Sequence, residues 1–453
     1  MPEPTLSLPD SAVELAALLR QRKLSSAEVT RHHLDVIERR NGELGSFVEV
    51  RRERAMAAAR RADAMLAAGG DLPAFLGVPS GIKDHEHLRG CYTRVGSRAL
   101  RWVLSPVDGP VAKACKRGGL VLTGKLATSE LAILPFIHTA LHPPARNPVC
   151  PDCYAGGSSG GSGAAVAAGM LPIAPGSDGG GSIRIPAAFC GLVGVKPGRG
   201  TLPHPYDAID RVRISAIGPL ARTVRDAAVM MDVLSGRWSH AWSSSPQSYL
   251  RACEERPAAL RIRVLRSSPN ATVDAEVDAC VTRVAQTLER LGHIVEEAPP
   301  LQLSVDEFIP LTGRMVANVP LPSMFDRMMQ PTTRWLRARG RRIRNAEAMS
   351  LHQVLERRVL DWFGDADVWI TPTVPTTAPP VGSFDGLDGE GMFRAAAPIG
   401  AFTAPYNVSG QPAASLPAGV SSAGRPIGVQ IVGPMGGEAR VLSLAAVLEE
   451  ALA

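Results

Sequence analysis

The chain has 453 residues, 45% of them hydrophobic and 20% charged, which is enough to bury one large core or two moderate ones. No stretch approaches the roughly 20 uninterrupted apolar residues of a membrane span, and the first residues, MPEPTLSLPDSAVE, lack the basic and apolar regions of a signal peptide. The net charge is a modest +6, and the seven scattered cysteines favour free thiols over a disulfide framework. We therefore expect a soluble globular protein of the cytoplasm that does not contact a membrane.

The N-terminal segment carries the signals of helices. Ser11 with Glu14, and Ser25 with Glu28, fit the Ser-x-x-Glu capping box, in which each side chain satisfies a free backbone N–H at a helix start. The run AMAAARRADAMLAAGG (55–70) then predicts a helix that ends at Gly69-Gly70.

Short apolar runs follow in a strand and helix rhythm. They lie at 77–84, 118–125, 170–178, 261–268, 366–375 and 425–433. Strands that alternate with helices predict an α/β fold around a mostly parallel or mixed sheet. The stretch from about 235 to 365 is more helical and charged, and residues 376–400, rich in Pro, Gly and Asp, predict a long loop.

The first candidate for chemistry is Lys83, which ends the apolar run GVPSGI. Burial there would lower the pKa of its ammonium group from about 10.4 towards neutrality, the state that a general base needs. Most lysines at strand ends are solvated, so a surface lysine stays the alternative. The surrounding sequence KDHEH (83–87) is only superficially similar to a metal motif, because its two histidines are two residues apart.

The stretch YAGGSSGGSGAAVAAG (154–169) has three interpretations. A flexible linker is disfavoured because the glycines lead directly into a helix-compatible Ala/Val run. A phosphate-binding loop is disfavoured because no lysine lies between Lys125 and Lys196. GSSGG also matches Gly-x-Ser-x-Gly, which would make Ser159 the nucleophile of a hydrolase elbow, but the segment before it is not a plausible strand.

A second cluster, GSDGGGSIRIP (176–186), follows a plausible strand. Gly179, Gly180 and Gly181 could aim consecutive N–H groups at one point and stabilise an oxyanion beside Ser182. The alternative is a tight turn that needs glycine only for its shape.

Two other segments attract a functional hypothesis. CPDC (150–153) has no second Cys or His pair at ligand spacing, so we expect no metal there and interpret the thiols as shaping a pocket rim or packing. The arginines of RWLRARGRRIR (334–344) could bind nucleic acid, but no nucleic-acid motif accompanies them, so a solvated helix face or loop is favoured.

The two glycine-serine clusters, taken with Lys83, closely resemble the signature region of the amidase signature family of serine hydrolases. Lys83 precedes Ser158 by 75 residues, and Ser182 follows 24 residues later. The likeness extends over most of the chain and weakens only at about 235–350, which is variable in the family. The resemblance implies one large α/β domain (1–453) with a central mixed twisted sheet covered by helices on both sides. It divides into N-terminal helices (about 8–70), a signature core (about 76–235), a variable helical region (about 235–365) and a C-terminal part (about 366–453).

The resemblance also implies roles for individual residues. Ser182 would be the acylated nucleophile, Ser158, after a cis peptide bond, the bridging serine, and Lys83 the base. The N–H groups of Gly179 to Ser182 would form the oxyanion hole, supported by the side chains of Asp178 and Arg184. By the same analogy the acyl pocket is expected to include Leu131, Ile133, Cys190, Phe402 and Tyr406.

This chain departs from the family at three points. Gly179 stands where a bulkier residue is common, which predicts a looser loop; KDHEH replaces Lys-Asp-Asn, and YAGG replaces Pro-Gly-Gly. The implied activity is hydrolysis of a small carboxamide to an acid and an amine or ammonia, without a cofactor or metal and without nucleic acid. The alternatives are the A subunit of a tRNA-dependent amidotransferase and a non-catalytic scaffold of the same fold. A homodimer is a further expectation.

Overall fold

Two β-sheets organise the computed structural model, which describes residues 8–202, 206, 208–236 and 248–452. The smaller sheet has the spatial order β1 (Phe47–Val50), β3 (Val121–Leu126) and β2 (Pro79–Lys83). The larger sheet has eight strands, in the spatial order β4 (Ile173–Asp178), β6 (Ala216–Ala221), β5 (Val193–Lys196), β10 (Ala413–Val420), β11 (Pro426–Val432), β9 (Val368–Pro372), β7 (Arg261–Val264) and β8 (Ile294–Glu297).

The described part of the chain also forms fifteen α-helices. In chain order they are α1 (Ala12–Arg20), α2 (Ser26–Leu44), α3 (Arg52–Ala68), α4 (Pro110–Arg117), α5 (Gly160–Ala167), α6 (Arg184–Cys190), α7 (Val224–Ser235), α8 (Tyr249–Ala252), α9 (Ala275–Arg290), α10 (Val305–Asn318), α11 (Pro331–Gly340), α12 (Asn345–Phe363), α13 (Gly389–Ala396), α14 (Pro405–Val408) and α15 (Glu438–Leu452). Within these ranges no helix combines the length and the apolar character needed to cross a bilayer.

The large sheet is mixed and is covered on both faces. β10 runs antiparallel to β5 and β11, whereas β7 runs parallel to β8 and β9. Helices α5 and α6 pack on one face, and α7, α9 and α15 pack on the other. This arrangement confirms the predicted α/β fold with a mixed sheet between two helical layers.

Strand β11 shows why both faces are covered. Because successive side chains of a strand point to opposite faces, Ile427, Val429 and Ile431 all enter the core beneath α7, α9 and α15. On the other face the backbone of α6 approaches so closely that a Cβ at Gly428 would lie 2.6 Å from the Cβ of Ala188. One core therefore joins residues from the N-terminal helix to the C-terminal helix.

The predicted helix starts are found with one difference. Ser25 and Glu28 form a complete capping box at α2. Ser11 caps α1 by accepting from the backbone N–H of Glu14, but its hydroxyl donates to Asp226 of α7 at 2.8 Å. The N-terminal cap is thus also a tertiary contact between α1 and α7.

The long loop predicted for 376–400 is wrong in part. Residues Gly389–Ala396 form α13, and a short 3-10 turn continues to Gly400. Asp388 caps the helix by accepting from the N–H of Gly391 at 2.6 Å, and Met392 and Phe393 are buried. The glycines that favoured a loop lie at the helix start. Of the region about 235–365, predicted to be helical, residues 237–247 lie outside the described residues, as do residues 1–7 of the N-terminal segment.

Candidate active site

The loop that follows β4 is the centre of the site. Residues Gly179 to Ser182 connect the buried end of β4 to α6. Gly181 has φ +126°, and a Cβ there would overlap the Oγ1 of Thr403. Both the backbone angle and the close approach require glycine at this position. The Oγ1 of Thr403 also donates to the carbonyl oxygen of Gly180 at 2.7 Å, which fixes the loop from outside.

A fully buried ion pair sets the shape of this loop. The guanidinium of Arg184 donates to both carboxylate oxygens of Asp178 at 2.9 Å, and the N–H of Gly181 donates to the same carboxylate at 2.6 Å. Burial opposes the charge of Asp178, but Arg184 outweighs it and holds the pKa of the carboxyl well below its usual range. The structure thus brings Asp178 and Arg184 together as the resemblance implied.

Two residues distant in sequence complete this network. Arg184 also donates to the side-chain oxygens of Asn407, at 2.6 Å, and Gln430, at 2.7 Å. Asn407 in turn donates to the backbone oxygen of Asp178 at 2.8 Å. Sequence reasoning missed both residues. The signal for Gln430 was a lone amide in the apolar strand GVQIV, because a buried polar group needs a partner.

Lys83 ends β2 inside the protein. Its side chain is 1% exposed, and Nζ lies 2.7 Å from the Oγ of Ser158 and 2.9 Å from the Oγ atoms of Ser159 and Ser177. Burial lowers the pKa of Lys83 to about 7, although the negative charges of Asp178 and Glu86 act in the opposite direction. The interpretation of Lys83 as a solvated surface lysine is therefore wrong.

The two adjacent serines before α5 have different surroundings. The Gly157–Ser158 peptide bond is cis. Ser158 borders a cavity, whereas the hydroxyl of Ser159 donates to the carbonyl oxygen of Ser177 at 3.1 Å and accepts from the N–H of Ser177 at 3.2 Å. Ser159 therefore ties α5 to β4, an arrangement that does not fit the hydrolase-elbow interpretation. The glycines after it begin α5, so the linker interpretation is wrong as well.

A cavity of about 410 Å³ opens above these residues. Ser158 and Ser182 both line it, together with Ser177, Gly179 and Gly180. A hydrogen bond connects Lys83 to Ser158. Among the described residues, the Ser182 hydroxyl makes no side-chain hydrogen bond, so no such bond connects Ser158 to Ser182. Both serines nevertheless face the same space.

The backbone N–H groups of the loop fall into two kinds. That of Gly181 is directed at Asp178, as described above. Within the described ranges, the N–H groups of Gly179, Gly180 and Ser182 have no acceptor in the protein. Three of the four N–H groups predicted for an oxyanion hole are thus free to bind a ligand, and the fourth stabilises the loop.

The predicted substrate-binding residues separate into two groups. Leu131 and Ile133 line the cavity. Cys190, Phe402 and Tyr406 do not: Cys190 is buried beneath α6 with its thiol on the carbonyl of Ala155, and the two aromatic rings pack in a separate core cluster. The prediction failed for Phe402 and Tyr406 because their neighbours in the same segment, residues 404 and 405, face the cavity instead.

The sequence KDHEH forms a polar wall rather than a metal site. The Tyr206 hydroxyl lies 2.7 Å from the Nε2 of His85 and donates to Glu86. Burial lowers the pKa of His85 well below its usual value. His85 and Tyr206 both line the cavity. In the part of the chain that the structure describes, no three His, Cys, Asp or Glu side chains are grouped so that they could hold a metal ion.

The other two segments singled out in the sequence are used in packing. Cys153 is buried in a core cluster with Cys150 packed against it, and neither lines the cavity, so the pocket-rim interpretation of CPDC is wrong. In the arginine segment, Arg337 is buried and donates to the carbonyl oxygen of Val316 at 3.1 Å. Arg339 pairs with Glu390 and Arg341 with Asp326. The segment is therefore not a uniformly solvated face.

Comparison with known proteins connects this site to one family. A family model described as Amidase matches residues 28–442. A Synechocystis sp. protein predicted to be an amidase is 35% identical over 455 residues, which cover 98% of this chain and 88% of that protein. The structure of 6-aminohexanoate cyclic dimer hydrolase with its substrate is 31% identical, with a TM-score of 0.88 over 98% of this chain and 97% of that one. The A subunit of glutamyl-tRNA(Gln) amidotransferase from Thermotoga maritima is 28% identical, with a TM-score of 0.75 over 95% of each chain.

These similarities extend from the N-terminal helices to α15 and include the loop, the lysine and the serines described above. A match of this length leaves no large part of the fold unaccounted for. The chain therefore belongs to the amidase signature family and is an amide-hydrolysing enzyme.

Proposed function

We propose that the enzyme hydrolyses a small carboxamide through an acyl-enzyme on Ser182, with Ser158 and Lys83 as the proton relay. The observation that carries this proposal is the 2.7 Å contact between the Nζ of Lys83 and the Oγ of Ser158, combined with the opening of Ser158 and Ser182 onto one cavity. A buried base, a bridging hydroxyl and a second hydroxyl at the substrate space are the parts that nucleophilic catalysis by serine requires.

The hydrogen bonds around Lys83 define which proton moves. A neutral amine has two N–H groups and one lone pair. The hydroxyl proton of Ser159 is already donated to the carbonyl of Ser177, so Ser159 accepts an N–H from Lys83. The second N–H is directed to the Oγ of Ser177. The lone pair is then left for the hydroxyl proton of Ser158, which makes Ser158 the donor towards the base.

The first half-reaction begins when Ser182 Oγ attacks the carbonyl carbon of the amide. Its proton passes to Ser158, and the proton of Ser158 passes to Lys83. The carbonyl oxygen becomes an oxyanion that the free N–H groups of Gly179, Gly180 and Ser182 are positioned to bind. Each such donor contributes about 3 kcal/mol to the stability of a transition state.

The relay then runs in reverse. Lys83 returns its proton through Ser158 to the leaving nitrogen, the C–N bond breaks, and the amine or ammonia departs. Water attacks the resulting ester, gives its proton to the same relay, and Ser182 leaves with that proton. The products are a carboxylic acid and free enzyme.

The amidotransferase alternative is not favoured by the arginine segment. That hypothesis drew on a basic surface for tRNA, whereas Arg337 is buried and Arg339 and Arg341 are paired with acidic side chains of this chain. Stand-alone hydrolysis accounts for the cavity without any second protein.

The test is covalent labelling of Ser182 by a small fluorophosphonate, located by peptide mass spectrometry. We expect labelling of the wild type and of Ser162→Ala, a matched control because Ser162 is buried in α5 and does not line the cavity. Ser182→Ala is expected to lose both labelling and amide hydrolysis while its circular dichroism spectrum stays unchanged. Retention of turnover in Ser182→Ala, or labelling of Ser159, would contradict the proposal.

A further inference from the structure

We propose that Gly179 opens one wall of the cavity, so that the enzyme prefers uncharged carboxamides whose acyl group is bulky and apolar, branched or aromatic. This inference rests on the acyl-enzyme function proposed above. It assigns a specificity role to a residue whose N–H is also expected to bind the oxyanion.

The three glycines of the loop have different reasons to be glycine. Gly181 is required by its backbone angle and by Thr403. Gly179 and Gly180 lie outside the left-handed region. A Cβ at Gly180 would make an ordinary contact of 3.4 Å with the ring of Phe308, and a Cβ at Gly179 would meet only the Oγ of Ser215, at 3.3 Å. Neither conformation nor backbone packing therefore demands glycine at 179.

The sheet shows where a side chain at 179 would go. Asp178 pairs with Ala216 in the antiparallel β4–β6 ladder, so Gly179 continues the ladder opposite Ser215. Both Gly179 and Ser215 line the cavity. Beyond the single contact with Ser215, nothing lies within 4 Å of that Cβ, so a larger side chain would extend into the substrate space.

The loop is not loosened by this glycine, contrary to the expectation from sequence. Asp178, Arg184 and Thr403 hold the loop on both sides of Gly179. What the absence of a side chain changes is the room beside the reacting carbonyl. If the N–H of Gly179 binds the oxyanion, the group bonded to the same carbon lies next to the Cα of Gly179, because only two covalent bonds separate them on the substrate.

The remaining walls select for apolar groups. They include aliphatic, thioether and aromatic side chains, namely Leu131, Ile133, Ile214, Phe308, Met315 and Phe393. The carboxylate of Asp210, which also borders the cavity, accepts the backbone N–H groups of Ile214 and Ser215 at 3.3 and 2.7 Å. A charged acyl group such as that of glutamine would lose its hydration against these walls, whereas an aryl or branched alkyl group gains by burial.

The experiment measures ammonia release from primary amides, which differ only in the acyl group. Acetamide, butanamide, cyclohexanecarboxamide, benzamide and glutamine are compared by kcat/KM. We expect cyclohexanecarboxamide and benzamide to exceed acetamide by at least about 10-fold, and glutamine to be the poorest substrate.

Two variants examine the role of Gly179 itself. Gly179→Val is expected to lower the ratio of kcat/KM for benzamide over acetamide by about 10-fold or more, and Gly179→Ala by a smaller factor. The ratio is the readout because any loss of oxyanion binding affects both substrates. Gly42→Ala is the matched control, since Gly42 is exposed on α2 and a Cβ there meets nothing within 4 Å.

Three results overturn the inference. They are a preference of the wild type for acetamide, a preference for glutamine, and a benzamide to acetamide ratio that stays unchanged in both Gly179 variants. Fluorophosphonate labelling separates the two proposals. If Ser182 is labelled and acetamide is preferred, only the specificity inference fails; if Ser182 is not labelled and no amide is cleaved, both fail.

Discussion

The activity of the enzyme is expected to rise with pH through about 7, because the relay needs Lys83 in its neutral form. Lys83 is the only member of the proposed relay with a titration in this range. Its side chain is 1% exposed, and burial lowers its pKa from 10.5 to about 7. Protonation below that pKa removes the lone pair that accepts the proton of Ser158.

The magnitude follows from the fraction of neutral amine. With a pKa of about 7, roughly a tenth of Lys83 is neutral at pH 6 and roughly nine tenths at pH 8, so kcat/KM rises about 10-fold between them. With the ordinary pKa of 10.5, the neutral fraction at pH 7 would be roughly 0.03%, and activity would still be rising about 10-fold per pH unit at pH 9.

The assay is kcat/KM for benzamide, which does not titrate in this range, measured from pH 5.5 to 9.5 at constant ionic strength. Lys196 needs a control, since it is buried on β5 and its pKa is also lowered to about 7, first by burial and then by Arg184. The Nζ of Lys196 donates to the carbonyl of Pro197 at 2.8 Å, away from the relay. Lys196→Met is therefore expected to keep the midpoint of the profile near 7.

The reasoning is refuted if the wild-type profile is flat between pH 6 and 8, or if it rises with a midpoint near 10. It is also refuted if Lys196→Met removes the rise while Lys83→Ala retains it. In either case Lys83 is not the base that controls turnover.

Three further predictions concern the base and the loop. Lys83→Ala should lose several orders of magnitude in kcat/KM at neutral pH and recover in part at high pH, where hydroxide replaces the base; a loss below about 10-fold would point to another base. Arg184→Met leaves the charge of Asp178 buried without a counter-ion and should lower the free energy of unfolding by about 3–5 kcal/mol in urea denaturation, a value that a change under about 1 kcal/mol would contradict. Gly181→Ala should lower both Tm and turnover, because its Cβ would clash with the side chain of Thr403; wild-type values in both measurements would show that the loop adapts.

The parts of the site that could be predicted are those encoded by short segments. Asp178 and Arg184 lie six residues apart across one strand, loop and helix, so a local motif brings them together. Lys83 and Ser158 come from two motifs, and family resemblance supplied their contact, which the apolar run before Lys83 alone left open. Their catalytic roles remain predictions.

What could not be predicted depends on tertiary packing. Asn407 and Gln430 reach Arg184 from more than 200 residues away, and no periodicity in the sequence contains that distance. Phe402 and Tyr406 illustrate the opposite error, because large aromatic residues suit a pocket wall and a core cluster equally well. The short strands β5 and β8, with four residues each, carry too few alternations to be recognised.

The bonds from Arg184 to Asn407 and Gln430 have a consequence for the birth of the enzyme. During synthesis the nucleophile loop leaves the ribosome long before the segments that hold Arg184 in place. A nascent or truncated chain that ends before residue 407 carries Lys83, Ser158 and Ser182 but lacks two of the partners that orient the loop. Hydrolytic activity is therefore expected to switch on only when the segment from Asn407 onwards has docked, so that incomplete chains do not cleave amides.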